Sequence, residues 1–185
     1  MAHTRILDNS RSALLVVDVQ EGFRTAIPDF SLIASRISTA VRGFTILERP
    51  VLVTVQYPKG LGHTAEEIQL VLPESADTFE KKAFSSCGAS GFVDSLRFLG
   101  IEQVIVCGIE THICVNQTAH DLLNEGFQVH LLTDCVASRF EHDKLAGLQK
   151  MFGSGAIPSS IEMALFELMR DAGHGKFKEI QALIK

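Results

Sequence analysis

Short, almost unbroken apolar runs separated by longer stretches of helical period constrain this chain more than any other feature. SALLVVD (Ser12–Asp18), VLVTVQ (Val51–Gln56), QVIVCG (Gln103–Gly108) and QVHLLTD (Gln128–Asp134) are too short for core helices and too uniformly apolar for half-exposed strands. A strand apolar on both sides belongs to a parallel sheet with helices on both faces. The intervening segments fit that demand. Ser31–Glu48 carries Leu32, Ile33, Ile37, Ala40, Val41, Phe44 and Leu47 at helical spacing, and Pro50 ends it. Helices are also expected over Gly91–Leu99, over Cys114–Asn124 with Gly126 closing it, and from Glu141 to Phe152. Thr78–Phe84 reads as a third strand with a fainter pattern, and Ala156–Ile157 as a short last one. A further helix opens at Ser159 with Glu162 completing a capping box, and Lys176–Ile184 adds a last helical turn or two. Tyr57–Glu74 reads mostly as loop, with a short helix around Ala65–Leu70.

In such sheets ligands bind beyond the carboxyl ends of the strands, where the strand order reverses. Two chemistry-bearing features fall at strand ends. Asp18 closes the first strand, and GIETHIC (Gly108–Cys114) leaves QVIVCG and delivers a cysteine to a helix mouth. A helix N-terminus lowers a thiol's pKa, and the thiolate is the reactive form. The plain alternatives are an Asp that caps a turn and a cysteine that serves as a small core hydrophobe. Lys81 and Lys82, in FEKKAFSS, read either as a solvated pair or as an ammonium that favours the charged forms of a nearby Asp and Cys. His112 sits two residues before Cys114, as a partner for it or as a loop histidine lining the pocket.

Length and charge exclude other classes. A chain of 185 residues suits one domain, spanning 1–185, with a self-sufficient core. A net charge of −5 provides no basic stripe for a phosphate backbone, which argues against nucleic acid as partner. No apolar run reaches membrane-spanning length, and the first residues lack the apolar core of a secretory signal. Cys87, Cys107, Cys114 and Cys135 form no C-x-x-C pair, so reduced thiols in a cytoplasmic protein are expected. The histidines form no metal-binding array, and Gly60-Leu61-Gly62 is too short for a phosphate cradle. No cofactor is implied.

DVQEGF, KKAFSS and GIETHICVNQTAHDLLNEGFQVHLLTD together closely resemble the isochorismatase-like cysteine hydrolases, which include nicotinamidases, N-carbamoylsarcosine amidases and isochorismatases. The likeness runs from about Leu14 to Ile184 and is strongest to the isochorismatase-domain-containing branch. It implies a three-layer α/β/α fold around a six-stranded, mainly parallel sheet in the order 3-2-1-4-5-6. It also implies a triad in which Asp18 takes the thiol proton, Cys114 is the nucleophile and Lys81 is the third member. The family's non-proline cis peptide falls at Ile109–Glu110, and the backbone N–H groups of Glu110 and Cys114 would form the oxyanion hole. Read from their places near the strand ends, Phe23, Tyr57 and Phe84 are expected as pocket walls or as core, and His112 as a pocket-lining residue. Nicotinamidases of the family bind zinc through an Asp-x-His after the second strand. Here that place reads Gln56-Tyr57-Pro58, so no metal is expected. Isochorismatases that cleave a vinyl ether typically lack the cysteine that this chain has. The resulting expectation is hydrolysis of a small-molecule amide or related C–N bond through a thioester, in a homo-oligomer of two, four or more copies. Vinyl-ether or ester hydrolysis by Asp18 and Lys81, or a non-catalytic ligand-binding or scaffold role, are the rivals.

Overall fold

In the computed structural model, which describes residues 3–185, six strands form one parallel sheet. They are β1 (Ser12–Val17), β2 (Val51–Gln56), β3 (Asp77–Lys81), β4 (Gln103–Ile109), β5 (Gln128–Ala137) and β6 (Ile157–Ser159), in the order β3-β2-β1-β4-β5-β6. The sequence places the four long strands to within a residue or two, except that β5 runs on to Ala137. The helices are α1 (Phe30–Ile46), α2 (Pro58–Leu61), α3 (Glu66–Gln69), α4 (Phe92–Phe98), α5 (Asn116–Asn124), α6 (Glu141–Gly153), α7 (Ile161–Met169) and α8 (Phe177–Leu183).

Strand alternation sorts the core into two layers. Leu14 and Val16 of β1 join Ile37 and Phe44 of α1 and Leu165 of α7 on one face. Ala13, Leu15 and Val17 join Phe92 and Leu96 of α4 and Leu122 of α5 on the other. Apart from Ala13, each such side chain stabilises the fold by about 1.5–3 kcal/mol when fully buried. That two-sided burial is why the strands read as continuous apolar runs.

Three local expectations need correction. The strand expected over Thr78–Phe84 ends at Lys81, so Lys82–Phe84 leave the sheet. The helix expected to open on Ser159 is capped by Ser160, whose side chain accepts from Met163 N–H. Ser159 belongs to β6, and its carbonyl accepts the Thr133 hydroxyl at 3.0 Å. Glu162 therefore sits one position too early to close a capping box. Finally, the helix expected from Cys114 begins at Thr111 with a widened π turn, Thr111–Val115. The Glu110 carbonyl accepts both Ile113 N–H at 3.1 Å and Val115 N–H at 3.2 Å, which spreads this turn.

The strand order reverses between β1 and β4, whose register pairs Val17 with Gly108. Gly108 has φ of +127°, and a Cβ there would lie 2.1 Å from the Val17 carbonyl oxygen and 2.7 Å from its nitrogen. Both obstacles are backbone, one residue before Asp18. Replacing Gly108 by alanine is expected to wedge β1 from β4 and cost more than about 4 kcal/mol, the upper range for single substitutions. Urea denaturation checks this, and an unchanged midpoint would refute it.

Candidate active site

Asp18 follows β1 in a left-handed conformation, with φ of +52°. Its N–H is held by the Thr54 carbonyl at 3.1 Å, which turns the carboxylate back along the ends of the neighbouring strands. Asp18 Oδ1 accepts Thr54 Oγ1–H at 2.9 Å, and Oδ2 accepts Lys81 Nζ–H at 2.6 Å. Both partners of the Lys81–Asp18 pair have fully buried side chains.

Lys81 is the last residue of edge strand β3 and pairs in register with Gln56 of β2. Its ammonium also lies 2.8 Å from Gln56 Oε1, 3.1 Å from the Ala83 carbonyl oxygen and 2.8 Å from the Phe84 carbonyl oxygen. The early end of β3 therefore has a local purpose, because the chain folds back and turns two carbonyls onto the ammonium. Lys82 is exposed, and only its carbonyl is engaged, by Gln56 Nε2 at 2.8 Å. Gln56 thus spends its carbonyl on Lys81 and its amide on Lys82. That donor set does not fit a zinc ion, and no group of three or more His, Cys, Asp or Glu among the described residues is arranged to hold a metal.

Cys114 lies in the widened first turn, and 7% of its surface is exposed. The expectation that the helix end would lower its pKa is overturned. Burial, reinforced by the negative charge of Asp18 and opposed by Lys81, pushes the thiol up to about 12. Burial also raises the Asp18 carboxyl above the ordinary carboxylate range, against the pull of Lys81, the Cys114 thiol and Thr54. Cys114 therefore rests as a thiol at neutral pH, beside a carboxylate of raised basicity. Burial likewise lifts the other thiols, Cys87 to about 11, with Cys107 and Cys135 also pushed up inside the core.

The Ile109–Glu110 peptide bond is cis. The Glu110 side chain, only 5% exposed, is held by Arg139 from the loop after β5, through the Arg139 backbone N–H at 3.0 Å and Nε–H at 3.1 and 3.2 Å. The backbone that precedes Cys114 is thereby fastened to the end of the next strand.

The four expected pocket residues do not share one wall. Tyr57 is exposed and lines a cavity of about 420 Å³ with Pro58, Lys59, Glu80, Lys81 and Lys82. Phe84 is exposed, and its contribution to the site is its carbonyl on Lys81. Phe23 packs half-buried against the core layer that contains α1, the layer opposite Cys114. His112 turns to Ser138, with Nδ1 3.0 Å from its hydroxyl, and to Asp143 of α6, with Nε2 3.9 Å away. Sequence reasoning missed Thr54, Gln20, Ser86, Thr118 and Arg139. Gln20 is fully buried, accepts Gln56 N–H at 2.7 Å and donates to the Gln56 and Gly62 carbonyls at 3.0 and 2.7 Å. A buried glutamine just after a strand-ending Asp was the available signal for it, while the hydroxyl residues offered none.

Comparison with known proteins agrees with this architecture. The family model for the isochorismatase domain matches residues 12–163. Isochorismatase domain-containing protein 2 of Danio rerio is 39% identical over 185 residues, covering 100% of this chain and 92% of that protein. Isochorismatase domain-containing protein 1 of Salmo salar is 40% identical over 91% of this chain, which spans 59% of that relative's length. The structure of MAR1 ribonuclease from Caenorhabditis elegans matches with a TM-score of 0.92 at 38% identity, covering 97% of this chain and 92% of that one.

Proposed function

This chain belongs to the isochorismatase domain family, and from that premise we propose that it is a cysteine hydrolase of a small-molecule amide or related C–N bond. The observation that carries the reading is the fully buried Lys81–Asp18 pair, 2.6 Å apart, beside a protonated Cys114 thiol. A buried ion pair is costly to maintain and contributes little net stability, so its placement against a nucleophile at a strand-order reversal favours a chemical role.

The steps follow from the groups present. As Sγ attacks the carbonyl carbon, the thiol proton passes to Asp18 and the carbonyl π electrons move onto oxygen. The N–H groups of Glu110 and Cys114 are assigned to that oxyanion. Collapse of the intermediate breaks the C–N bond, the leaving nitrogen takes the proton back from Asp18, and a thioester remains. Water then attacks, giving a proton to Asp18, and the thiolate leaves and recovers that proton. The Lys81 ammonium, 2.6 Å from Asp18, offsets the negative charge on Asp18 and the sulfur. Exposure to a panel of small amides followed by intact-mass measurement tests this: an acyl adduct on Cys114 is expected, and its absence with every hydrolysed substrate would overturn the thioester.

The nematode relative is called a ribonuclease. In this chain a net charge of −5 and a triad with no exposed cation favour a small uncharged group over a polynucleotide, whose binding needs several phosphate contacts. Turnover of RNA that survives Cys114→Ala would reverse that preference.

Activity is expected to be independent of zinc, because Gln56 stands where the zinc-binding relatives carry an acid and both ends of its amide are engaged. Dialysis against a strong chelator should leave the rate within about twofold, whereas losing a catalytic metal forfeits several kcal/mol of stabilisation. A large loss restored by added zinc would overturn it.

A further inference from the structure

Three buried hydroxyl residues lie behind the triad, and only Thr54 touches it, at the Asp18 carboxylate. Thr54 Oγ1 donates to Asp18 Oδ1 at 2.9 Å. Thr54 Oγ1 also lies 3.3 Å from Ser86 Oγ, and Ser86 Oγ lies 3.2 Å from Thr118 Oγ1. Thr118 Oγ1 accepts the backbone N–H of Ser86 at 2.9 Å, closing the far end. Asp18, Thr54, Ser86 and Thr118 are each 0% exposed.

The direction of this chain follows from hydrogen counting. A hydroxyl has one hydrogen, an ionised carboxylate can only accept, and a backbone N–H can only donate. Thr54 spends its hydrogen on Asp18, so the hydrogen between Thr54 and Ser86 comes from Ser86. The hydrogen between Ser86 and Thr118 then comes from Thr118, whose oxygen receives the Ser86 N–H. Every hydrogen points toward Asp18. Reversal, with Ser86 donating to Thr118, would leave no hydrogen between the Thr54 and Ser86 oxygens.

We infer that Thr54, Ser86 and Thr118 form a one-way hydroxyl chain that holds Asp18 as a carboxylate and ties it to the helix carrying Cys114. The inference rests on the reading of Asp18 as the base. Three consequences follow. Charge-assisted bonding to Oδ1, strengthened along a polarised chain in a dry interior, counters the burial that drives Asp18 toward its neutral form. A proton received from Cys114 has no exit through the chain, so Asp18 keeps it for the leaving group. Thr118 lies one turn beyond Cys114, and Ser86 closes the segment whose Ala83 and Phe84 carbonyls hold Lys81, so one network joins all three triad elements. These are positioning residues.

The charged and titratable groups facing Asp18 are Lys81 from β3 and the Cys114 thiol from the turn after β4, with Glu110 acting on that thiol from the preceding residue. The test is the titration midpoint of the Asp18 carboxyl, read by ¹³C NMR on the full chain and assigned by its loss in Asp18→Asn. Thr54→Val is expected to raise the midpoint by about one pH unit, since it deletes a hydrogen bond to the charged form. Ser86→Ala and Thr118→Val should move it the same way by less, and Thr54→Ser should restore it. A Thr54→Val protein that melts earlier with an unmoved midpoint would show a merely structural hydroxyl and overturn the inference. If Thr54→Val does not fold, Ser86→Ala, which keeps the backbone N–H, decides by the same midpoint. Iodoacetamide labelling separates the two readings. Cys114 labelled as fast in Asp18→Asn as in the unaltered protein would remove Asp18 as base, while the midpoint shift still decides the chain.

Discussion

Replacing Lys81 by methionine is expected to slow turnover sharply and to destabilise the fold, whereas the same change at Lys82 should do neither. The two lysines are sequence neighbours with opposite environments. Lys81 Nζ sits 2.6 Å from Asp18 and contacts three further oxygens, with no exposed side-chain surface. Removing it leaves the Asp18 carboxylate buried without its counter-charge, a loss on the order of 3–5 kcal/mol for a broken buried pair. The stability loss should shrink as pH falls, because Asp18, already raised by burial, escapes the penalty by taking a proton. Adding Asp18→Asn to Lys81→Met should therefore recover stability without recovering turnover. Loss of the ammonium from the transition state should cost roughly a hundredfold or more in rate. Lys82→Met should stay within about half a kcal/mol in stability. Chemical denaturation and turnover of any identified amide, measured on both variants, check this. An inactive Lys82 variant beside an active Lys81 variant would place the wrong lysine in the site.

Cys114→Ala is expected to have the largest effect on rate and a small one on folding. The thiol supplies the bond to carbon, so its loss should reduce turnover by about a thousandfold or more and eliminate the acyl adduct. Truncation to alanine removes one sulfur from a site at the core margin, worth about 1 kcal/mol. Cys87→Ala should leave the rate unchanged. Cys87 is the more exposed thiol and is raised to about 11, against about 12 for Cys114, so simple accessibility does not favour Cys114. Preferential iodoacetamide labelling of Cys114 would then report assistance by Asp18. A Cys114→Ala protein that still turns over, beside an inactive Asp18→Asn protein, would make the thiol a bystander and shift the chemistry toward vinyl-ether or ester hydrolysis by Asp18 and Lys81.

The sequence by itself determined the layered parallel fold, because burial on both faces leaves continuous apolar runs such as SALLVVD and QVIVCG, and that signal is local. It also placed Asp18 at a strand end and Cys114 just beyond another, the ends where parallel sheets bind ligands. The family likeness carried the strand order and singled out Lys81. Only the tertiary structure decided the rest. That β3 stops at Lys81 depends on carbonyls of Ala83 and Phe84 satisfying an ammonium whose other partners, Asp18 and Gln56, come from two different strands. That the Cys114 turn is widened, and its thiol raised instead of lowered, depends on the Glu110 carbonyl and on how much protein covers the sulfur. The links from Glu110 to Arg139 and from Asp18 through Thr54 and Ser86 to Thr118 join residues that no periodicity relates. Hydrophobic pattern repeats along the chain and can be read there. Desolvation and hydrogen-bond direction are set by neighbours through space, and exist only once the chain has folded.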